Sequence, residues 1–191
     1  MKYLFLLLLA GCAAQSYVIK NKELLPYKES SQITKLNQES KTLTVASVED
    51  HRGMKDNGFA YTGVEYKKTP VFMEAGMENM LKTQLSSALE VRNISVVPTG
   101  ELNLVVTVKE LNISELIEQH KPERAQCKLT VDFAINEGQS RWNGSFATSF
   151  ISAGDLSDGT ERLAPTLASC INELVEKLVR DDKFIKMLKK E

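Results

Sequence analysis

The chain has 191 residues, with 24 Lys and Arg against 25 Asp and Glu, a net charge of −1 and 42% hydrophobic residues. That length suits one ordinary domain better than two, and the composition allows it a sizeable core. The near balance of charge excludes the basic excess that a nucleic-acid or anionic-surface binder carries.

Residues 1–11 read as an export signal. Met1-Lys2 gives a positive start, Tyr3 to Leu9 an apolar run, and Leu9-Ala10-Gly11-Cys12 a small-residue cleavage site ending in cysteine. So short an apolar run cannot span a bilayer, which makes the segment a removable address and not a transmembrane helix. The pattern resembles a bacterial lipoprotein signal peptide. The resemblance implies that the mature chain begins at Cys12, and that this residue carries a diacylglyceryl thioether and an N-acyl chain such as palmitate. Several acyl chains hold a protein lastingly where one binds only marginally, because each buried methylene contributes about 0.8 kcal/mol. In proteobacterial lipoproteins an Asp after the cysteine commonly means retention at the inner membrane. Ala13 stands there instead, so the expected place is the outer membrane, on its periplasmic face.

Residues 12–41 comprise this lipidated N-terminus and a stretch rich in Ser, Gln, Asn, Lys and Glu with no sustained period, which reads as a tether. A flexible chain of that length spans roughly 30 Å. Ile33 and Leu36 can add a short strand within it.

Residues 42–191 form the expected single periplasmic α+β domain. Thr42 to Val48 is β-prone and exits through Glu49-Asp50-His51-Arg52. Residues 53–68 hold three glycines and suit a long loop or an irregular hairpin. Thr69 offers a helix N-cap with Pro70 at the first helical position, and Met73, Met77, Leu81, Leu85 and Leu89 predict an amphipathic helix of about 20 residues, its face widened by Met80 and Ala88. Ile94 to Pro98 reads as a short strand that turns at Thr99-Gly100.

The next strand carries Leu102, Leu104, Val106 and Val108 on one face and then shifts to Leu111 and Ile113, a slip that predicts a β-bulge near Glu110. Ser114 to Glu123 is expected to be a polar connection. Ala125, Cys127, Leu129, Val131, Phe133 and Ile135 alternate most clearly, with Arg124, Gln126, Lys128, Thr130 and Asp132 between them. Asn136 to Gln139 then makes a hairpin turn into a strand with Trp142, Gly144, Phe146, Thr148 and Phe150 on one face. After a polar loop, Leu163, Leu167, Cys170, Ile171, Leu174 and Leu178 share one helix face, with Pro165 in the first turn. Asp181-Asp182 caps a last short helix containing Phe184, Ile185 and Leu188. The expected architecture is a two-layer sandwich: a mostly antiparallel sheet of about five strands with two amphipathic helices on one face.

The lipobox, the strand from Val45 to Arg52 ending in Asp50 and Arg52, the helix from Pro70, the meander and the acidic pair before a Phe-containing helix together resemble the YajG family of Gram-negative outer-membrane lipoproteins. A looser likeness is to the lipoprotein auxiliary subunits of envelope lipid-transport systems. The family resemblance implies an anchored periplasmic domain with no established enzymatic activity, and it supplies no catalytic residues.

The residues carry no catalytic signature either. Asp50 and Arg52 fall on one side of a strand with His51 on the other, which favours a structural ion pair over a base-and-orienter arrangement. His51 and His120 are the only histidines, and neither lies near a nucleophile motif. His120 reads as the solvated tip of a hairpin. Cys127 and Cys170 lack the spacing of a zinc site, and Asp155, Ser157, Asp158 and Glu161 only faintly echo a calcium loop. No metal or cofactor is expected.

Cys127 and Cys170 each fall on a dry face, one of a strand and one of the helix expected to cover it. Two separate buried thiols are the default, and the alternative is a disulfide, which would stabilise by about 4 kcal/mol in the chain-entropy model. The functional expectation is a non-enzymatic interaction or accessory subunit of an envelope complex of transport, secretion or flagellar type, bound to the membrane through Cys12 and to protein partners. The alternative is a carrier of lipid or another apolar ligand near Met73, Met77, Phe146 and Phe150.

Overall fold

The computed structural model describes residues 16–20, 33–36, 39–53, 55–62, 67–118, 121–137, 140–152 and 163–190. The longest strands described are those of the meander, β5 (Leu102–Glu118), β6 (Lys121–Glu137) and β7 (Ser140–Ile151). They pair antiparallel, and β2 (Leu43–Asp50) joins the outer side of β5 in parallel, which gives a four-stranded sheet in the order β2-β5-β6-β7. Leu102, Leu104, Val106 and Val108 of β5 are buried, as are Ala125 through Ile135 at every second position of β6. This alternation buries one face and wets the other. The register of β5 against β6 slips between Val108 and Glu110, which places the expected bulge at Lys109.

Two helices cover the dry face. The helix α2 (Leu163–Val179) packs on β6 and β7, and α1 (Met77–Glu90) packs on β2 and against α2. Lys177 Nζ donates to Ala147 O at 2.5 Å and Thr148 Oγ1 to a Glu173 carboxylate oxygen at 2.9 Å, which fixes α2 to the edge strand. The short α3 (Asp182–Leu188) starts at Asp181, whose carboxylate accepts from the Phe184 N–H at 2.7 Å and from the Trp142 indole at 3.2 Å. These elements make an α+β fold with open sheets.

The region before α1 departs from the sequence expectation. Residues 67–73 form a strand, β4 (Lys67–Met73), and not the start of the helix; it pairs antiparallel with β3 (Phe59–Thr62) and parallel with β1 (Tyr17–Ile19) in a separate three-stranded sheet. Thr69, Val71 and Met73 alternate inward, and this two-residue period with β-branched side chains outweighs the Thr-Pro capping signal. Val71 N–H donates to Gly58 O at 3.1 Å. Phe59 and Pro70 are therefore a non-hydrogen-bonded pair, and the ring nitrogen of Pro70 faces away from β3, where no donor is needed. The turn through Gly76, at φ 77°, separates β4 from α1.

Three further segments differ. Residues 94–98 make one bridge, Val96 to Leu43, and no strand; the main sheet thus has four strands where about five are expected. Ser114 and Glu115 lie within β5 and are buried, because β3 covers them: Phe59 N–H donates to Ser114 Oγ at 3.4 Å and Tyr61 N–H to Glu115 Oε2 at 2.5 Å. The expected tether is docked on the body wherever it is described. Tyr17 to Ile19 forms β1, Leu36 N–H donates to Arg92 O, and Lys41 N–H donates to Leu188 O. Backbone hydrogen bonds of this kind leave no hydrophobic period in a sequence.

Candidate functional site

Cys12, the expected lipid attachment point, lies outside the described residues, as do His120, Asp155, Ser157, Asp158 and Glu161. The titratable cluster within them centres on Asp50 and Arg52, where β2 ends. Both side chains face inward and are almost fully buried. Arg52 Nε and Nη2 each donate to a separate carboxylate oxygen of Asp50 at 2.9 Å, the two-pronged geometry that suits a guanidinium to a carboxylate. Nη1 donates to Asp56 O and Asn57 Oδ1 at 3.0 Å and to Leu111 O at 3.4 Å. The Arg52 side chain donates to Asp50, holds the backbone of the loop and closes β5 onto both, leaving the Asp50–Arg52 pair a corner post.

Electrostatics follow from that geometry. The Arg52 side chain beside Asp50 holds its carboxyl well below the usual carboxylate range; burial opposes this, and the Arg52 N–H and Lys55 add to it. His51 points to solvent, with Nε2 3.2 Å from Glu49, on the opposite side from Asp50. A shallow depression of about 220 Å³ beside Arg52 is lined by Gly53, Asp56 and residues 109–112. Another, of about 430 Å³, lies on the wet face of the sheet among Thr107, Asp132, Ala134, Asn143 and Ser145. Among the described residues no three His, Cys, Asp or Glu side chains are placed to hold a metal ion, and no helix is long and apolar enough to cross a membrane.

The structure joins Cys127 of β6 to Cys170 of α2 as a disulfide with Cα atoms 6.1 Å apart. Both residues are fully buried, so the bridge ties the central sheet to its covering helix from inside the core. The default of two separate thiols gives way because helix and strand approach directly at these two positions. Met73 and Met77 belong to the hydrophobic core, and Phe146 and Phe150 are partly buried against it. Phe146 stacks against Phe133 and Trp142.

Sequence reasoning missed a second ionic cluster. Arg92, 1% exposed after the end of α1, donates to Ala88 O at 2.7 Å, to Asn172 O at 3.2 Å and to Glu176 at 3.2 Å. Glu176 also accepts from the hydroxyl and N–H of Thr34, and Arg180 reaches it from one turn along α2. Burial pushes the Glu176 carboxyl up, but the Thr34 hydroxyl and N–H, Arg92 and Arg180 outweigh it and hold the group below its ordinary value. A nearby signal in the sequence is Asn93, which adopts φ 63° in the turn that follows the Val91 C-cap of α1.

No known family profile matches this sequence, and no curated protein matches it. Solved structures do match. An uncharacterized protein is similar over 73% of this chain and 91% of its own, with a TM-score of 0.51 at 14% identity. A Xanthomonas campestris protein of the family DUF330 is similar over 85% and 92%, with a TM-score of 0.49 at 10% identity. The minor lipoprotein of Acinetobacter baumannii is similar over 79% and 96%, with a TM-score of 0.38 at 15% identity. At such identities the first likeness shows the fold alone, and the two lower scores carry no argument.

Proposed function

We propose that this chain is a lipoprotein held at the periplasmic face of the outer membrane by acyl chains on Cys12, and that its domain is a non-enzymatic accessory subunit of an envelope complex. The observation that carries the reading is the sequence Leu9-Ala10-Gly11-Cys12 after a short apolar run with a positive start. The resemblance to YajG-like lipoproteins rests only in part on these residues, and otherwise on the strand ending in Asp50 and Arg52, the meander and the acidic pair before the last helix. A bridged cysteine pair suits a periplasmic domain, since disulfides persist in that compartment. The strand β7, twelve residues long, is last in its sheet. Its outer edge is where a partner strand can be added.

Intact-mass analysis of the membrane fraction tests the anchor. The expected species begins at Cys12 with the diacylglyceryl and N-acyl additions, and Cys12→Ser releases a folded domain that no longer works at the membrane. An unacylated mature chain sinks the reading. Gentle extraction of the envelope should return stoichiometric partners, and a clean monomer in several extractions counts against the accessory role. The carrier alternative draws on Met73, Met77, Phe146 and Phe150, and no observation favours it.

A further inference from the structure

The three-stranded sheet is apolar on both faces. Tyr17, Ile19, Ala60, Val71 and Met73 point inward and join the core. The opposite face is fixed by register: Val18 stands beside Phe72, Phe59 beside Pro70, and Tyr61 beside Lys68. Because Lys68, Pro70 and Phe72 alternate along β4, all six side chains share one side. Val18 and Phe72, at 38% and 51% exposure, are two of the three large hydrophobics left exposed among the described residues. Phe59 and Tyr61 meet edge to face at 5.6 Å, and Lys68 Nζ lies 3.8 Å over the Phe59 ring. A sheet with one wet face ordinarily keeps that face polar. A clustered apolar face on a folded domain marks a contact surface.

The chain itself indicates the occupant. Val18 follows Cys12 by six residues, and six residues fully extended reach about 20 Å. If Cys12 is acylated, this face is therefore confined to the immediate neighbourhood of the lipid. Its chemistry fits that place, since aromatic rings settle at a bilayer interface while a lysine stem lies along apolar surface and keeps its charge among the headgroups. We infer that the outer face of the three-stranded sheet lies on the phospholipid surface, so that the domain is seated against the membrane and not hung below it on a tether. This rests on the lipid-anchor reading.

The test uses the mature acylated protein in vesicles of phosphatidylethanolamine and phosphatidylglycerol with brominated acyl chains, which quench tryptophan on contact. Trp142 is the chain's only tryptophan and is buried, so it serves as an internal reference. Phe72→Trp adds a reporter at an exposed position, and Val18→Trp is the second reporter. The expected result is loss of most of the added emission in both variants, with the wild-type emission unchanged. Full retention of the added emission in protein whose acylation is confirmed by mass overturns this inference alone. Cross-linked dimers through the same unquenched face overturn it in favour of a second copy. Absence of acyl chains, with no vesicle association, removes the anchor reading and this inference together.

Discussion

Arg92 meets Glu176 at 3.2 Å between the end of α1 and the last turns of α2, and the same carboxylate accepts from Thr34 of the N-terminal stretch. One ionic contact thus joins two helices and receives the segment that leads into the domain. Arg92→Ala leaves a half-buried carboxylate without its main counter-charge and strips a donor from two carbonyls. The expected loss is about 3 kcal/mol, read as a lower urea midpoint at unchanged slope. Thr34→Val costs about 1 kcal/mol and exposes residues 33–36 to limited proteolysis.

Acid should act first through the depressed carboxyls. Asp50 and Glu176 both titrate below their ordinary values in the folded protein, so each contributes stability that is fully present above the unfolded carboxyl pKa of about 4 and is lost as the pH falls from there toward the folded value. Urea midpoints measured from pH 7 to pH 2 should therefore hold until about pH 4 and then decline. Asp50→Asn, less stable at neutral pH because Arg52 stays buried without its partner charge, should show a shallower decline. Equal slopes for both proteins would remove Asp50 from the account.

Reduction tests the bridge between Cys127 and Cys170. The oxidised protein, unfolded without reductant, should take up no alkylating reagent on these two residues. Cys127→Ala with Cys170→Ala should lose about 4 kcal/mol by the chain-entropy estimate, with an added loss where the core is left underfilled. Unchanged melting on addition of reductant would show that the sulfurs stabilise only by packing.

Among the described glycines, Gly58 is the least tolerant of a side chain. Its φ is 113°, and a Cβ there would collide with the Ile113 carbonyl. Gly58→Ala should destabilise by about 4 kcal/mol, through both the left-handed backbone and the displaced strand. Thermal melting reads the loss directly. Gly53, where nothing lies within reach of an added Cβ, should accept alanine with little change.

The meander was legible because Ala125 through Ile135 alternate without exception and α2 presents one apolar face, both periods that burial writes into a sequence. The bulge at Lys109 was legible for the same reason, as a one-residue slip in that period. Thr69-Pro70 misled because a cap signal is local to those two residues, while the fate of Val71 and Met73 is decided by strand pairing, with β3 just upstream and with β1 far off in the chain. Ser114 and Glu115 looked like a loop because polar residues inside a strand are unusual; their burial depends on the backbone of Phe59 and Tyr61. Arg92, Glu176 and Thr34 are brought together only by packing. The Asp50 and Arg52 pair was visible because strand geometry alone puts alternate residues on one side.

The backbone bond from Lys41 to Leu188, with the bridge between Ser40 and Lys189, closes the entrance of the domain with its exit. The β5-β6-β7 meander can assemble from neighbouring chain, but β2 finds β5 only after the whole of β3, β4 and α1 has been looped out, and its N-terminal neighbour must wait for α3. Contacts between such distant residues are made late, after the loop entropy has been spent. Folding therefore completes only once the last residues have arrived, and Leu188→Ala should hasten unfolding while scarcely slowing refolding in stopped-flow measurements. The N-terminal end of β2 thus stays unsealed until α3 has been made and has docked beside it.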